Sequence, residues 1–328
     1  MTALVTGVTG FTGGHLARYL RSRGHRVRGL VRPSSVPRAA ALAEIGMEIA
    51  VGDLTDPDTL GGACTGVEVV YHVAATYRKA GQGSGSYRAI NVDGTGHLLE
   101  AARAAGARRF VHCSTGGVHG HVEHPPADED APLAPGDVYQ RTKLEGEKLA
   151  TAFGRANDLE VVIVRPIGIY GPGDLRFLKM FRGLARGRFP MLGSGRVYYH
   201  LTYIDDLVEG FRLCGEHAEA AGRTYILGGA EYSSLAELVE LVARAVGARP
   251  PRVNWPVWPV WLAGATCELV CVPLGVEPPL YRRRVDFYRK SRAFDISRAR
   301  AELGYNPRVS LQEGIRRTAD WYRAQGLL

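Results

Sequence analysis

Short apolar runs alternate with amphipathic helical patterns along the first half of the chain. We interpret six runs as strands, with the sequences ALVT, RVRGLV, MEIAV, VEVVYHVA, RRFVHCS and LEVVIVR. Segments with helical spacing separate most of them, for example GTGHLLEAARAAG, in which apolar residues recur every three or four positions. This alternation predicts an α/β fold with a doubly wound parallel sheet.

The regular alternation stops after Pro166. Loops rich in glycine and proline follow, together with longer helices, until the segment YHLTYIDDLVEGFRLC returns the chain to the first unit. We therefore predict a larger domain formed by residues 1–165 and 198–228. A smaller, mostly helical domain would comprise residues 166–197 and 229–328. The length of 328 residues agrees with about two domains.

Three glycines, Gly7, Gly10 and Gly13, stand three residues apart between the first strand and the first helix. Glycine there lets the backbone approach a pyrophosphate and lets the helix pack closely on the strand. The helix N-terminus offers N–H groups and the positive end of its dipole to a phosphate. A tight turn without a ligand is the alternative, and the motifs that follow decide between the two.

A tyrosine and a lysine, Tyr139 and Lys143, are four residues apart in the segment GDVYQRTKLEGEKLA. On a helix this spacing puts both on one face, one turn apart. A nearby ammonium lowers the pKa of a tyrosine, which can then exchange a proton with a substrate hydroxyl or carbonyl near neutral pH. Thr115, in FVHCSTGGVHG, lies at the end of the fifth strand, where ligands bind in open sheets. Its hydroxyl is available to the same substrate oxygen.

The order of glycine turn, strand-end threonine and YxxxK resembles the extended short-chain dehydrogenase/reductase superfamily, which includes NAD-dependent epimerases and dehydratases. The segments VYHVAA, NVDGTGHLLEAA, RPIGIYGPGD and YIDDLVEG match its further signatures, so the resemblance covers nearly the whole chain. It implies a Rossmann domain that binds a nicotinamide cofactor and a smaller domain that binds the substrate. It also implies that Thr115, Tyr139 and Lys143 are catalytic, with Tyr139 as general acid/base and Lys143 also on the nicotinamide ribose.

The resemblance also implies positions that contact the ligands. The cofactor would be bound by Gly7, Thr9, Gly10, Phe11, Gly13, Asp53, Leu54, Ala74, Ala75, Asn91, Tyr139, Lys143 and Pro166. The substrate would contact Thr76, Gly116, His119, Ile167, Tyr199, Arg283 and Arg284. Ser114 could fill the position of the catalytic hydroxyl, but counting back from VHG, where relatives have Val-Tyr-Gly, selects Thr115. His119 replaces that tyrosine and departs from the pattern.

The end of the second strand bears on the choice of cofactor. Enzymes that use NAD usually place Asp or Glu there to bind the ribose 2′-hydroxyl. This chain has Val31 and Arg32, so no carboxylate repels a 2′-phosphate. Arg32 can form charge-assisted hydrogen bonds with that phosphate, so we expect NADP to be preferred. A surface arginine and the use of NAD are the alternatives.

Composition is that of an ordinary globular protein, with 45% hydrophobic and 23% charged residues. The five cysteines show no metal-ligand or disulfide spacing, and no signal-peptide pattern stands at the N-terminus, so we expect a reducing cytoplasm. The net charge of +8 comes without a nucleic-acid motif. We expect a small-molecule substrate, a homodimer, no nucleic acid and no metal. HGHVEH is interpreted as a substrate loop.

The segment from Trp255 to Val276 contains one charged residue, Glu268. Its two early prolines argue against a transmembrane helix. A buried helix and an apolar surface for a hydrophobic substrate or for peripheral membrane contact remain open. The order of this segment, a basic stretch and AFDISRARAELGYNP is similar to 3β-hydroxysteroid dehydrogenases, and the wider pattern to dihydroflavonol reductase-like enzymes.

This similarity implies a dehydrogenase that acts on a hydrophobic cyclic alcohol or ketone. The alternative is a sugar-nucleotide epimerase, in which Arg283 or Arg284 would bind a diphosphate. A third hypothesis is a regulator that senses the dinucleotide, against which the intact set of Thr115, Tyr139 and Lys143 argues.

Overall fold

The computed structural model describes residues 1–77, 84–271, 273–274, 276, 278–280 and 285–328. Its centre is a seven-stranded parallel sheet with the spatial order β7-β6-β5-β4-β1-β2-β3. The strands are β1 Thr2–Thr6, β2 Arg26–Val31, β3 Glu48–Val51, β4 Val69–His72, β5 Arg109–Cys113, β6 Glu160–Pro166 and β7 Thr224–Leu227. All six strands expected from the sequence are present, and the fold class is confirmed.

Helices cover both faces of the sheet, which explains why strands such as β4 and β5 are buried along their whole length. Their bounds are α1 Phe11–Ser22, α2 Val36–Glu44, α3 Gly61–Cys64, α4 Ser84–Arg88, α5 Gly94–Ala104, α6 Val138–Asn157, α7 Leu178–Ala185, α8 Ile204–Glu216, α9 Leu235–Ala245, α10 Val257–Cys271, α11 Ser297–Leu303 and α12 Leu311–Ala324. Leu16 of α1 and Phe211 of α8 belong to the apolar core on one face. Leu98 of α5 and Ala150 of α6 belong to the core on the other.

The chain leaves the sheet after β6 and returns to it with β7. The register pairs Leu227 with Pro166, so β7 forms the edge of the sheet beside β6. In the described part of the chain, three short strand pairs lie outside the sheet: Ile169–Tyr170 with Thr202–Tyr203, Tyr198–His200 with Tyr232–Ser234, and Met191–Leu192 with Asn254–Trp255. The domain boundaries given above stay a prediction.

The helix α10 forms the centre of the apolar segment 255–276. Most of its side chains are exposed or half-buried, so α10 is not the buried helix that the composition also allowed. Within the part of the chain that the structure describes, no helix has both the length and the apolar character needed to cross a membrane.

Candidate active site

The turn between β1 and α1 has no room for side chains at its glycines. Gly7 has a φ of +72°, and a Cβ on it would lie 3.0 Å from the backbone nitrogen of Ala74. The N–H of Gly10 donates to the carbonyl of Gly7 over 2.9 Å. Gly13 packs on the same carbonyl from the first turn of α1. The three glycines therefore bring the start of α1 directly onto the carboxyl end of β1.

The N-terminus of α1 is open to an anionic ligand. Gly10 precedes the helix and is exposed, and among the described residues no side chain caps the helix there. Thr9 and Phe11 flank it and are half-buried, and the ring of Phe11 contacts His15 edge-on. The N–H groups and the positive dipole end of α1 fit the pyrophosphate of a dinucleotide.

A chain of buried hydrogen bonds connects the ends of β1 and β4 with the turn before α5. Thr6 Oγ1 accepts the N–H groups of residues 73 and 74 and therefore donates its own proton to His72 Nδ1, 3.0 Å away. His72 Nε2 then donates to Thr95 Oγ1, which donates to the carbonyl of Asn91. Burial lowers the pKa of His72 to about 3, which keeps the ring neutral, as this chain requires.

Asn91 connects the end of β4 to the helix α6. It is fully buried in the π-helical turn Ala89–Asp93. Its Oδ1 accepts the N–H of Thr76 at 2.8 Å, and its Nδ2 donates to Thr142 Oγ1 at 3.0 Å. The hydroxyl of Thr142 donates in turn to the carbonyl of Tyr139. Asn91 thus positions the first turns of α6 relative to the strand ends.

Tyr139 and Lys143 lie one turn apart near the start of α6, as the spacing predicts. Asp137 caps the helix, because its side chain accepts the N–H of residue 140 at 2.8 Å. Tyr139 is half-buried and stands edge-on to the ring of Tyr77, with 4.9 Å between the centroids. Lys143 is 1% exposed, and its Nζ lies 3.5 Å from Nε2 of His112.

Burial and neighbouring groups shift the pKa of Lys143 in opposite directions. Burial lowers the pKa of Lys143, whereas Cys113 and Glu147 act in the opposite direction. Burial and the neighbouring lysine hold the pKa of His112 well below its usual range, so this imidazole is a neutral acceptor. A positive charge on Lys143, one helical turn from Tyr139, would stabilise a phenolate.

The two candidate hydroxyls at the end of β5, those of Ser114 and Thr115, have different environments. Ser114 is 2% exposed, and its hydroxyl donates to Glu147 Oε2 over 2.8 Å in the interior. Thr115 is half-buried, and its Oγ1 accepts the N–H of Gly117 at the start of a short 3₁₀ turn. Among the described residues, the hydroxyl of Thr115 donates to no acceptor, so its proton can reach a substrate, which favours Thr115 over Ser114.

His119 lies inside a buried ionic cluster behind the strand ends. The Arg165 guanidinium forms an ion pair with Glu147 and donates to the carbonyl of Glu129 at 2.8 Å. It lies 3.1 Å from Nε2 of His119, which therefore accepts. Burial and Arg165 lower the pKa of His119 to about 4. His119 is 2% exposed, so it can make its predicted contact only with a substrate group that extends below the protein surface.

The predicted adenosine side of the cofactor site lies at the ends of β2 and β3. Arg32 follows β2 and is exposed, and its carbonyl accepts the N–H of Ser35. Arg38, in the first turn of α2, donates to the hydroxyl of Ser35 over 2.8 Å, so its guanidinium lies beside the loop that contains Arg32. Asp53 Oδ1 accepts the N–H and the hydroxyl of Thr55. The other predicted cofactor positions end or follow strands β3, β4 and β6: Leu54, Ala74, Ala75 and Pro166.

The predicted substrate residues fall into separate groups. Gly116 and Ile167 are in contact, because a Cβ on Gly116 would lie 2.1 Å from Cδ1 of Ile167. Tyr199 is 7% exposed, and its hydroxyl donates to the carbonyl of Phe287. Thr76 is the residue that Asn91 holds. Arg283 and Arg284 lie outside the described residues.

The structure adds Arg176, which the sequence reasoning missed. Its Nε donates to Asp174 Oδ1 over 2.7 Å, and its Cζ lies 5.7 Å from the ring centroid of Phe11. Its positive charge is close enough to the phenols of Tyr77 and Tyr139 to interact with them. A charged residue two positions after RPIGIYGPGD was the available signal, but nothing in the spacing indicates that it faces Tyr139.

The chain is similar to known enzymes over nearly its whole length. The NAD dependent epimerase/dehydratase family matches residues 3–228. The chain belongs to this family. The 3 beta-hydroxysteroid dehydrogenase/Delta 5→4-isomerase of Mycobacterium tuberculosis is 32% identical, over 97% of this chain and 90% of that protein. The UDP-glucose 4-epimerase of Mycolicibacterium smegmatis is also 32% identical, over 98% of this chain and 99% of that protein.

A similar solved structure contains the cofactor. It is a short-chain dehydrogenase/reductase superfamily protein from Agrobacterium tumefaciens with bound NAD, 27% identical, with a TM-score of 0.76 over 99% of this chain and 98% of that one. Membership of the NAD dependent epimerase/dehydratase family makes this protein an NAD-dependent enzyme of the oxidoreductase or epimerase kind. The predicted superfamily is therefore confirmed.

Proposed function

We propose that this enzyme transfers hydride between a nicotinamide cofactor and a secondary alcohol or ketone of a hydrophobic, sterol-like ring system. An aromatic cluster beside a predicted substrate residue carries the proposal. The rings of Tyr199 and Phe287 are tilted toward each other, with 4.9 Å between the centroids, and Phe287 meets Tyr288 edge-on at 5.1 Å. Tyr288 lies in turn 6.4 Å from the ring of Phe189. Contact with these aromatic rings would stabilise a bound apolar ring system by roughly 25 cal/mol for each Å² of apolar surface that is removed from water.

The roles of the catalytic residues follow from their environments. Tyr139 exchanges a proton with the substrate oxygen, and the hydroxyl of Thr115 donates a hydrogen bond to the same oxygen. The buried ammonium of Lys143 stabilises the phenolate and binds the nicotinamide ribose. The nicotinamide, when bound, accepts or supplies the hydride. NADP is the preferred cofactor in this proposal, because Arg32 and Arg38 can pair with a 2′-phosphate.

A sugar-nucleotide epimerase is the second candidate. The 32% identity with the UDP-glucose 4-epimerase named above favours it. So does Arg292, whose backbone pairs with that of Tyr199. Among the described residues, the buried Nε of Arg292 has no hydrogen-bond partner. A guanidinium in that place can bind a diphosphate.

The two functions differ in their net redox change, because an epimerase returns the hydride to its substrate. We expect a 3β-hydroxysteroid with NADP to increase the absorbance of the reduced cofactor at about 340 nm, and UDP-glucose to cause no change. We also expect the steroid, but not UDP-glucose, to raise the melting temperature of the cofactor-bound protein.

Arg292→Ala, with the exposed Arg249→Ala as control, tests the alternative. If UDP-glucose stabilises the protein and Arg292→Ala selectively removes that effect, the epimerase function replaces the proposal.

A further inference from the structure

The helix α10 carries an apolar stripe that no described part of the chain covers. Gly264 is the one buried residue in this helix among those described. Trp258, Leu262 and Leu269 are 68%, 53% and 76% exposed. At about 100° per residue, these three positions fall within roughly 40° of one another around the helix axis. They therefore form one continuous outward stripe.

The stripe contains no charged group. The one carboxylate of α10, Glu268, lies about 100° around the axis from the centre of the stripe. The hydroxyl of Thr266 donates to the carbonyl of Leu262, so it is satisfied within the helix. A helix on the surface of a globular protein normally turns charged residues outward, and one that is apolar all round contacts other apolar matter. Eight of the seventeen exposed large hydrophobic side chains in the described part of the chain lie between residues 253 and 276.

We infer that α10 is an interfacial helix that binds the surface of an anionic lipid bilayer. Its 15 residues span about 22 Å, less than the roughly 30 Å of a hydrocarbon core, so it lies in the interface. Trp255 and Trp258 are exposed at its N-terminal end, and tryptophan favours the headgroup region of a membrane. The guanidinium of Arg289 lies 5.8 Å from the ring centroid of Trp261, at the same end of the helix.

Charge complementarity selects lipid over a second copy of the chain. Arg249, Arg252 and Arg289 are exposed next to α10, in the sequence before it or in space. A two-fold contact through the stripe would bring these cations toward the same cations of the other copy, and like charges repel. Anionic headgroups are instead attracted, by an amount that raises partitioning about fivefold for each arginine.

Cosedimentation of the whole protein with lipid vesicles tests the inference. The vesicles contain phosphatidylcholine alone or with about one quarter phosphatidylglycerol. We expect binding to the anionic vesicles, a loss of at least roughly tenfold in Leu269→Glu, and about a fivefold loss in Arg252→Gln. Ile45→Glu is the matched control, since Ile45 is 44% exposed at the end of α2. Circular dichroism verifies that each variant is folded.

Three results would overturn the inference. The wild type remains in the supernatant with both kinds of vesicle, or Ile45→Glu weakens binding as much as Leu269→Glu does. In the third, sedimentation equilibrium reveals a dimer that Leu269→Glu dissociates, which would make a second copy the occupant of the stripe. No substrate or cofactor enters the assay, so its outcome does not depend on the proposed reaction.

Discussion

A Cβ on Gly13 would lie 2.3 Å from the carbonyl oxygen of Gly7. The Gly13→Ala variant must therefore move α1 away from the end of β1. We expect it to lose roughly 1–3 kcal/mol of unfolding free energy and to bind the dinucleotide more weakly. Urea denaturation and calorimetric titration with NADP measure both effects. Gly62→Ala in α3, where a Cβ has no neighbour within 4 Å, is the control, and equal behaviour of the two variants would contradict the expectation.

The position of Tyr139 beside Lys143 predicts a specific loss of turnover. Tyr139→Phe removes the proton donor and should lower kcat by roughly 10²–10⁴-fold, while the affinity for NADP changes little. Steady-state kinetics with a 3β-hydroxysteroid and fluorescence titration with NADPH measure the two quantities. Tyr77→Phe, which keeps the ring contact with Tyr139, is the comparison. Activity of Tyr139→Phe close to that of the wild type would disprove the assignment.

The hydroxyls of Ser114 and Thr115 should have separable effects. Thr115→Val removes the hydroxyl at the strand end and should lower kcat with little change in unfolding free energy. Ser114→Ala removes a hydrogen bond to the buried Glu147 carboxylate, so it should cost about 1–3 kcal/mol of unfolding free energy and affect turnover less. Steady-state kinetics and urea denaturation of both variants measure these effects. A larger loss of kcat in Ser114→Ala than in Thr115→Val would make Ser114 the functional hydroxyl.

The preference for NADP can be tested through Arg32. Arg32→Ala should lose roughly 1.5–3 kcal/mol of binding free energy for NADP and leave the binding of NAD nearly unchanged. Arg26→Ala, at the amino end of the same strand, is the matched control. Dissociation constants from calorimetry measure the difference. A wild-type protein that binds NAD more tightly than NADP would refute the preference.

Buried neutral histidines predict a loss of stability in acid. The folded-state pKa is about 3 for His72 and about 4 for His119, below the unfolded value of about 6.5. As the pH falls below about 6.5, the unfolded state binds protons first. The free energy of unfolding should then decrease by up to about 1.4 kcal/mol per pH unit for each histidine, down to its folded-state pKa.

Urea denaturation between about pH 7.5 and pH 5 measures this slope, and His119→Gln should make it shallower. A stability that stays constant over this range would show that the two histidines do not titrate as described.

The sequence predicts those features that depend on local spacing. The glycine turn, the one-turn separation of Tyr139 and Lys143, and the strands of the sheet follow from residues close together in the chain. Contacts between distant residues do not. The bond from Ser114 to Glu147 joins residues 33 apart, and that from Thr6 to His72 joins residues 66 apart. No periodicity specifies which polar groups meet in the interior.

The exposure of α10 is another feature that the sequence alone does not predict. An apolar run such as residues 255–276 is compatible with a buried helix and with a surface helix, because composition does not reveal what packs against it. Arg176 is a further example, since its approach to Tyr139 depends on how the loop after Pro166 folds back over Phe11. These features become visible only when the tertiary arrangement is known.

The edge position of β7 has a consequence during protein synthesis. Thr224–Leu227 is the partner of β6, although more than fifty residues separate it from Pro166 in the chain. Until the ribosome has released this segment, the nascent chain presents β6 with an unpaired backbone edge. Such an edge can pair with another incomplete chain. A translational pause before residue 224 would therefore raise the chance of aggregation, and chaperone protection would matter most in that interval.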